Sequence, residues 1–217
     1  ENGGVATVTA TLSVVSGKTV TVDLDFTGTA TNLLDYTRSA TSIVIAAGAT
    51  TGSITLTAVD DALDEPDETI IVDITTVTNG TESGTQQVTA TVLDDDPLPG
   101  LSIDSPNVME TDVGTVDMTF TASLTAVSGR DVMVQFSTTD GTAKAPGDYT
   151  AQPLTTLTIP AGSLTGTVMV PVVGDTLDEF DETFTVTLTN PTNATILVGQ
   201  GTGTILDNDP LPALSID

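Results

Sequence analysis

Two acidic runs in this chain are nearly the same text. Asp61-Ala62-Leu63-Asp64-Glu65-Pro66-Asp67-Glu68-Thr69 returns 114 residues later as Asp175-Thr176-Leu177-Asp178-Glu179-Phe180-Asp181-Glu182-Thr183. Leu93-Asp94-Asp95-Asp96-Pro97-Leu98-Pro99-Gly100-Leu101-Ser102-Ile103-Asp104 returns at an offset of 113 as Leu206-Asp207-Asn208-Asp209-Pro210-Leu211-Pro212-Ala213-Leu214-Ser215-Ile216-Asp217. What repeats best is carboxylate, and the chemistry open to clustered carboxylates is to hold a hard cation through roughly six to eight oxygens. Magnesium and manganese also take oxygen ligands; abundance and tolerance of irregular geometry favour calcium. No run is an EF-hand, which needs alternating Asp, then Gly and a closing Glu. Paired acids also serve glycosidases, but five Phe, two Tyr and no Trp are few to line a sugar cleft. With no His in the chain, nucleophilic triads lack their usual base. The chemistry read here is binding, not catalysis.

The charge balance narrows the partners. Thirty acidic side chains against four basic ones leave a net charge of −26, which repels nucleic acid and anionic membrane surfaces. No stretch approaches the roughly 20 apolar residues of a membrane span, so no direct membrane insertion is expected. The chain has no Cys, which excludes disulfides and thiolate metal sites. Two carboxylates about 5 Å apart repel by roughly 3 kcal/mol at an effective dielectric near 20. A domain of about 10 kcal/mol total stability cannot gather many such groups without counter-charge.

The elements that must position these acids read as strands. Period-two alternation runs through residues 5–12, 19–26, 53–59, 69–74 and 87–93, then through 115–124, 131–136, 164–172, 183–188 and 203–206. Ser16-Gly17, Ala47-Gly48, Ser128-Gly129, Ala161-Gly162 and Asn190-Pro191 punctuate them as turns. Val, Ile, Leu, Ala and Thr dominate, a strand-forming palette that predicts cores packed through aliphatic side chains. A fixed period near 113 residues means tandem domains, each long enough to bury its own core. The fold class expected is all-β: two tandem immunoglobulin-like antiparallel β-sandwiches of about seven strands each. The boundaries expected are 1–97 for a first sandwich lacking its first strand, 98–210 for a second, and 211–217 for the start of a third. Pro97-Leu98-Pro99-Gly100 predicts a stiff, extended joint.

In the second repeat, Thr139-Asp140-Gly141-Thr142-Ala143, Pro146-Gly147-Asp148-Tyr149-Thr150, Ile159-Pro160-Ala161-Gly162, Leu177-Asp178-Glu179-Phe180-Asp181-Glu182-Thr183-Phe184 and Ile205-Leu206-Asp207-Asn208-Asp209 follow one another in order. That series resembles a Calx-beta domain, the family of the calcium-sensing domains of sodium–calcium exchangers and of many repeats in bacterial surface proteins. The first repeat is a looser copy, with Gly28-Thr29-Ala30 and Leu34-Asp35-Tyr36 at two of the landmarks. The resemblance implies a calcium (Ca2+) ligand set. In the first repeat it is Glu1, Asp35, Asp60, Asp61, Glu65, Glu68, Asp94, Asp95 and Asp96; in the second it is Glu110, Asp148, Asp175, Glu179, Glu182, Asp207 and Asp209. Gly174 stands where Asp60 does and Asn208 where Asp95 does, so the second site is expected to hold fewer or weaker ions. Asp64, Asp67, Asp178 and Asp181 are expected to face solvent beside the sites, and Tyr36 and Tyr149 to pack in the core. The role implied is a piece of a secreted or surface-anchored adhesion or stalk protein, extracellular, with calcium ions, neighbouring repeats of the same chain and a cell-surface or matrix ligand as its partners. The alternatives are a calcium-sensor pair coupled to a transporter, and an accessory module of a secreted hydrolase.

Overall fold

Among the described residues every regular element is a β-strand, and the computed structural model describes residues 1–216. The chain divides into two units, Glu1–Asp96 and Pro97–Asp217. In the first, β1 (Val5–Thr11), β5 (Thr51–Ala58) and β3 (Tyr36–Arg38) form one sheet in the order β1-β5-β3. The facing sheet has the order β4-β2-β6-β7, with β2 at Val20–Gly28, β4 at Ser42–Ile45, β6 at Glu68–Thr78 and β7 at Gln87–Val92. Alternation decides what lies between the sheets. Val20 and Val22 of β2, Ile43 and Ile45 of β4, Ile54 and Leu56 of β5, and Ile70 and Val72 of β6 are buried. Tyr36 joins them at 3% exposure. The expected aliphatic core is what this unit builds.

The second unit has nine strands. One sheet runs β13-β10-β8-β15 and the other β12-β11-β14-β16-β9. Their ranges are β8 Gly100–Ile103, β9 Asn107–Met109, β10 Thr115–Leu124, β11 Val132–Asp140, β12 Thr155–Ile159, β13 Thr165–Val173, β14 Glu182–Thr192, β15 Thr195–Val198 and β16 Gln200–Leu206. Two of the pairings, β15 with β8 and β16 with β9, are parallel. They depart from a purely antiparallel sandwich because residues 100–109 serve both sheets, first as β8 and then as β9.

The second core is also mostly aliphatic, and it adds an aromatic group. Phe120, Phe184 and Tyr149 are at most 1% exposed. Phe184 stacks on Tyr149 at 4.3 Å between centroids and meets Phe120 edge-on at 5.8 Å. Residues 211–216 form no strand, Leu214 and Ile216 are each 93% exposed, and Asp217, the last residue of the expected third repeat, lies outside the described residues.

Because Phe184 touches both other rings at the core's centre, Phe184→Ala is expected to destabilise the second unit by about 3–5 kcal/mol. Urea denaturation checks this, with the second unit's transition moving to lower urea and the first unit's staying in place.

Candidate metal centre

Strand register brings the acidic runs to one end of each sandwich. In the first unit Val5 pairs with Thr57, Tyr36 with Ala58, and Glu68 with Val92. Glu1, Asp35, residues 60–65 and residues 94–96 therefore leave or enter the sheets side by side. Glu1, Asp61 and Asp96 each place a carboxylate oxygen within 4.8 Å of the others. The backbone holds them there. The Asp61 amide donates to Glu1 Oε2 at 3.3 Å, the Leu63 amide to Asp61 Oδ1 at 2.8 Å, and the Glu65 amide to Asp94 Oδ1 at 3.2 Å. Glu68, at the start of β6, shares a hydrogen bond with Asp35 and feels the charge of Glu65. Asp95 is exposed and outside the three-carboxylate group. Asp60 is exposed and outside the three-carboxylate group, although its charge still acts on Asp96.

The second unit builds two such groups. Glu110, Asp207 and Asp209 form one, and Asp148, Glu179 and Glu182 the other, with carboxylate oxygens again within 4.8 Å. Asp175 belongs to neither, but its charge falls on Glu110, Glu179 and Asp209. The smaller ligand set thus yields more close groups than the larger one, so charge count alone does not order the sites. The reason for Gly174 is steric. A Cβ there would lie 1.6 Å from the carbonyl oxygen of Thr111, leaving no room for the counterpart of Asp60. An acid is regained nearby: Asp112 acts on Asp209 and accepts a 3.4 Å hydrogen bond from Asn208 Nδ2.

Several acids do structural work that the sequence reading did not assign. Asp64 is only 3% exposed, against the expectation that it faces solvent. The Asp67 and Asp181 carboxylates accept from the amides of Asp94 and Asp207, tying the two acidic runs of each unit together. Asp140 accepts from the Tyr149 hydroxyl at 2.7 Å and from the Ala145 amide at 3.2 Å. It thereby anchors the loop that presents Asp148. The Tyr149 bond holds Asp140 below the usual carboxylate range, while burial, helped by Asp140, pushes Tyr149 up to about 12. The signal for Asp140 was available in the Asp-Gly-Thr-Ala landmark. For Asp112 there was none, because the first repeat has no acid between Glu1 and Asp23.

The carboxyls are held away from their ordinary ionisation. Burial first, then the charges of Asp175, Asp207 and Asp209, push Glu110 up to about 7. Burial and a hydrogen bond shared with Asp148 do the same for Glu182, which Lys144 draws back only in part. Burial and Asp35 bring Glu68 to about 7. Glu1, Glu65, Glu179, Asp96 and Asp209 are raised as well, each by desolvation first and neighbouring carboxylates after it.

The Calx-beta domain family matches the chain twice, over residues 1–96 and 100–209. The chain belongs to the Calx-beta family. Among solved structures, the apo-form Calx CBD1 domain is 24% identical, covering 52% of this chain and 100% of its own, at a TM-score of 0.46. CBD12 from CALX1.2 is 15% identical over 93% of each chain, at a TM-score of 0.41. The calcium binding domain CBD12 of CALX1.1 is 18% identical over 87% of this chain and 74% of its own, at a TM-score of 0.39. A comparison with curated proteins gives no match.

The donor set in both Calx-beta domains suits a hard divalent cation. It is all carboxylate oxygen, closely spaced, and in the second domain Asp209 Oδ2 is buried without a hydrogen-bond partner. Without a cation the three glutamates near 7 sit above their unfolded value of 4.5. The folded state then binds the extra protons, so the stability they contribute is complete below about pH 4.5 and disappears as pH rises through about 7. In chelator the melting temperature is expected to fall between pH 5 and pH 8. Scanning calorimetry over that range checks it, and Glu110→Gln together with Glu182→Gln is expected to flatten the slope.

Proposed function

We propose that this chain is a calcium-binding pair of Calx-beta domains from an extracellular, secreted or surface-anchored repeat protein with an adhesive or stalk role. One observation carries the reading: three groups of three carboxylates with oxygens within 4.8 Å, in a protein with four basic side chains. Glu1, Asp61 and Asp96 would hold cation in the first domain; Glu110, Asp207 and Asp209, and Asp148, Glu179 and Glu182, would hold it in the second. The bound ion supplies positive charge and open coordination positions that these oxygens fill. The protein's part is positioning. The Leu63 and Leu177 amides orient Asp61 and Asp175, and the Lys144 amide holds Asp148 at 2.5 Å.

Irregular all-oxygen sets built on loops fit calcium better than magnesium, which demands near-octahedral geometry and keeps its waters. The carboxylate groups act in this reading as ligands rather than as acid–base pairs. Neighbouring repeats and a surface or matrix ligand are the partners the role requires. Affinity separates a structural role from a sensor: about 10⁻⁴ to 10⁻³ M for extracellular modules, about 10⁻⁷ to 10⁻⁵ M for sensors.

Calcium at about a hundred times its Kd stabilises a one-site domain by roughly 2.7 kcal/mol. That corresponds to about 10 °C or more for domains of this size. Melting in EDTA and in excess calcium is therefore expected to differ by that amount, and identical curves would remove the reading.

A further inference from the structure

The two Calx-beta domains carry one carboxylate set in two versions. Asp148, Glu179 and Glu182 of the second domain close to within 4.8 Å. Their counterparts by sequence are Asp35, Glu65 and Glu68 of the first, where Glu68 shares a hydrogen bond with Asp35 and feels the charge of Glu65. The backbone treats the leading acid of each set alike. The Lys144 amide donates to Asp148 Oδ2 at 2.5 Å, and the Thr31 amide donates to Asp35 Oδ2. Lys144 and Thr31 hold the same place in the two repeats, 113 residues apart. The two cradles therefore share a backbone contact and differ at this position by one positive charge.

That charge is held in place. Lys144 Nζ donates to the carbonyl oxygen of Gly141 at 2.5 Å, which ties the ammonium to its own loop. The loop is in turn fastened to the strand that begins with Glu182. The Ala143 amide donates to the Thr183 carbonyl at 3.0 Å, and the Thr183 amide donates to Thr142 Oγ1 at 2.8 Å. A Cβ on Gly141 would lie 2.3 Å from the same Thr183 carbonyl oxygen, so this approach requires glycine. Glu182 is the residue before Thr183. Burial and the hydrogen bond shared with Asp148 raise Glu182, and the Lys144 charge is near enough to draw it partly back.

We propose that Lys144 is a built-in counter-ion of the group formed by Asp148, Glu179 and Glu182, and that it lowers the calcium affinity of that group. The inference rests on the calcium reading of these carboxylates and adds the residue that tunes them. A fixed ammonium stabilises the three acids when no ion is bound, and it repels a divalent cation that enters beside it. Both effects come from one charge and must change together. The Lys144 side chain is exposed, so salt screens both. Thr31 offers neither effect in the first domain.

Calcium titration calorimetry of the full chain at low salt, paired with thermal melting in EDTA, is the test. Lys144→Met keeps an apolar stem and removes the charge. It is expected to tighten one class of calcium site about tenfold and to lower the melting temperature of the second unit in EDTA. Both changes are expected to shrink in about 0.5 M KCl, and Lys144→Arg to restore wild-type behaviour. Thr31→Lys is expected to do the opposite in the first domain, weakening calcium there and raising that unit's melting temperature in EDTA. A merely structural Lys144 would give the reverse sign, because losing its bond to Gly141 would loosen the loop bearing Asp148 and weaken calcium. A wild-type chain that binds calcium while Lys144→Met binds it no tighter, or with a gain indifferent to salt, overturns this inference alone. A wild-type chain that binds no calcium overturns the calcium reading and this inference with it.

Discussion

Mutual repulsion among carboxylates at one end of each sandwich is the constraint to which the rest of the structure answers. Backbone amides, not basic side chains, orient the acids: the Leu63 and Lys144 amides donate to Asp61 and Asp148 of the close groups, and the Leu177, Asp94 and Asp207 amides to Asp175, Asp67 and Asp181 beside them. Such bonds orient an acid without neutralising it. Burial first, and the neighbouring carboxylates after it, raise Glu68, Glu110 and Glu182 to about 7, so protons relieve part of the remaining charge. A divalent cation bound at such a site would displace those protons.

The two domains meet that constraint with different scaffolds. The second stacks Tyr149 on Phe184 and ties the Tyr149 hydroxyl to Asp140, so the loop bearing Asp148 is anchored to the core. The first has Thr27 where Asp140 stands and relies on an aliphatic core. Among the described residues the second domain has two close carboxylate groups and the first has one.

Alternation exposed the long strands because each buries one face, and the doubled acidic runs exposed the groups that meet. Short strands escaped: β3, β9 and β15 have three or four residues, too few for a period to show. The parallel pairings of β8 and β9 escaped because they arise from one segment crossing between sheets. Counting acids by alignment could not show that Gly174 is set by its contact with Thr111, nor find Asp112, which has no counterpart in the first repeat. Asp64 escaped because it lies in an acidic run but turns inward. Local text predicts which groups are near; it does not predict which way a side chain turns.

The most direct measurement is a calorimetric calcium titration at pH 7 in two buffers of different ionisation enthalpy, which counts protons released per ion bound. If clustered carboxylates hold protons that calcium displaces, binding releases protons at pH 7, the release vanishes near pH 9, and Glu110→Gln with Glu182→Gln diminishes it. Calcium binding with no proton release at pH 7, or no binding heat in any buffer, would contradict the account.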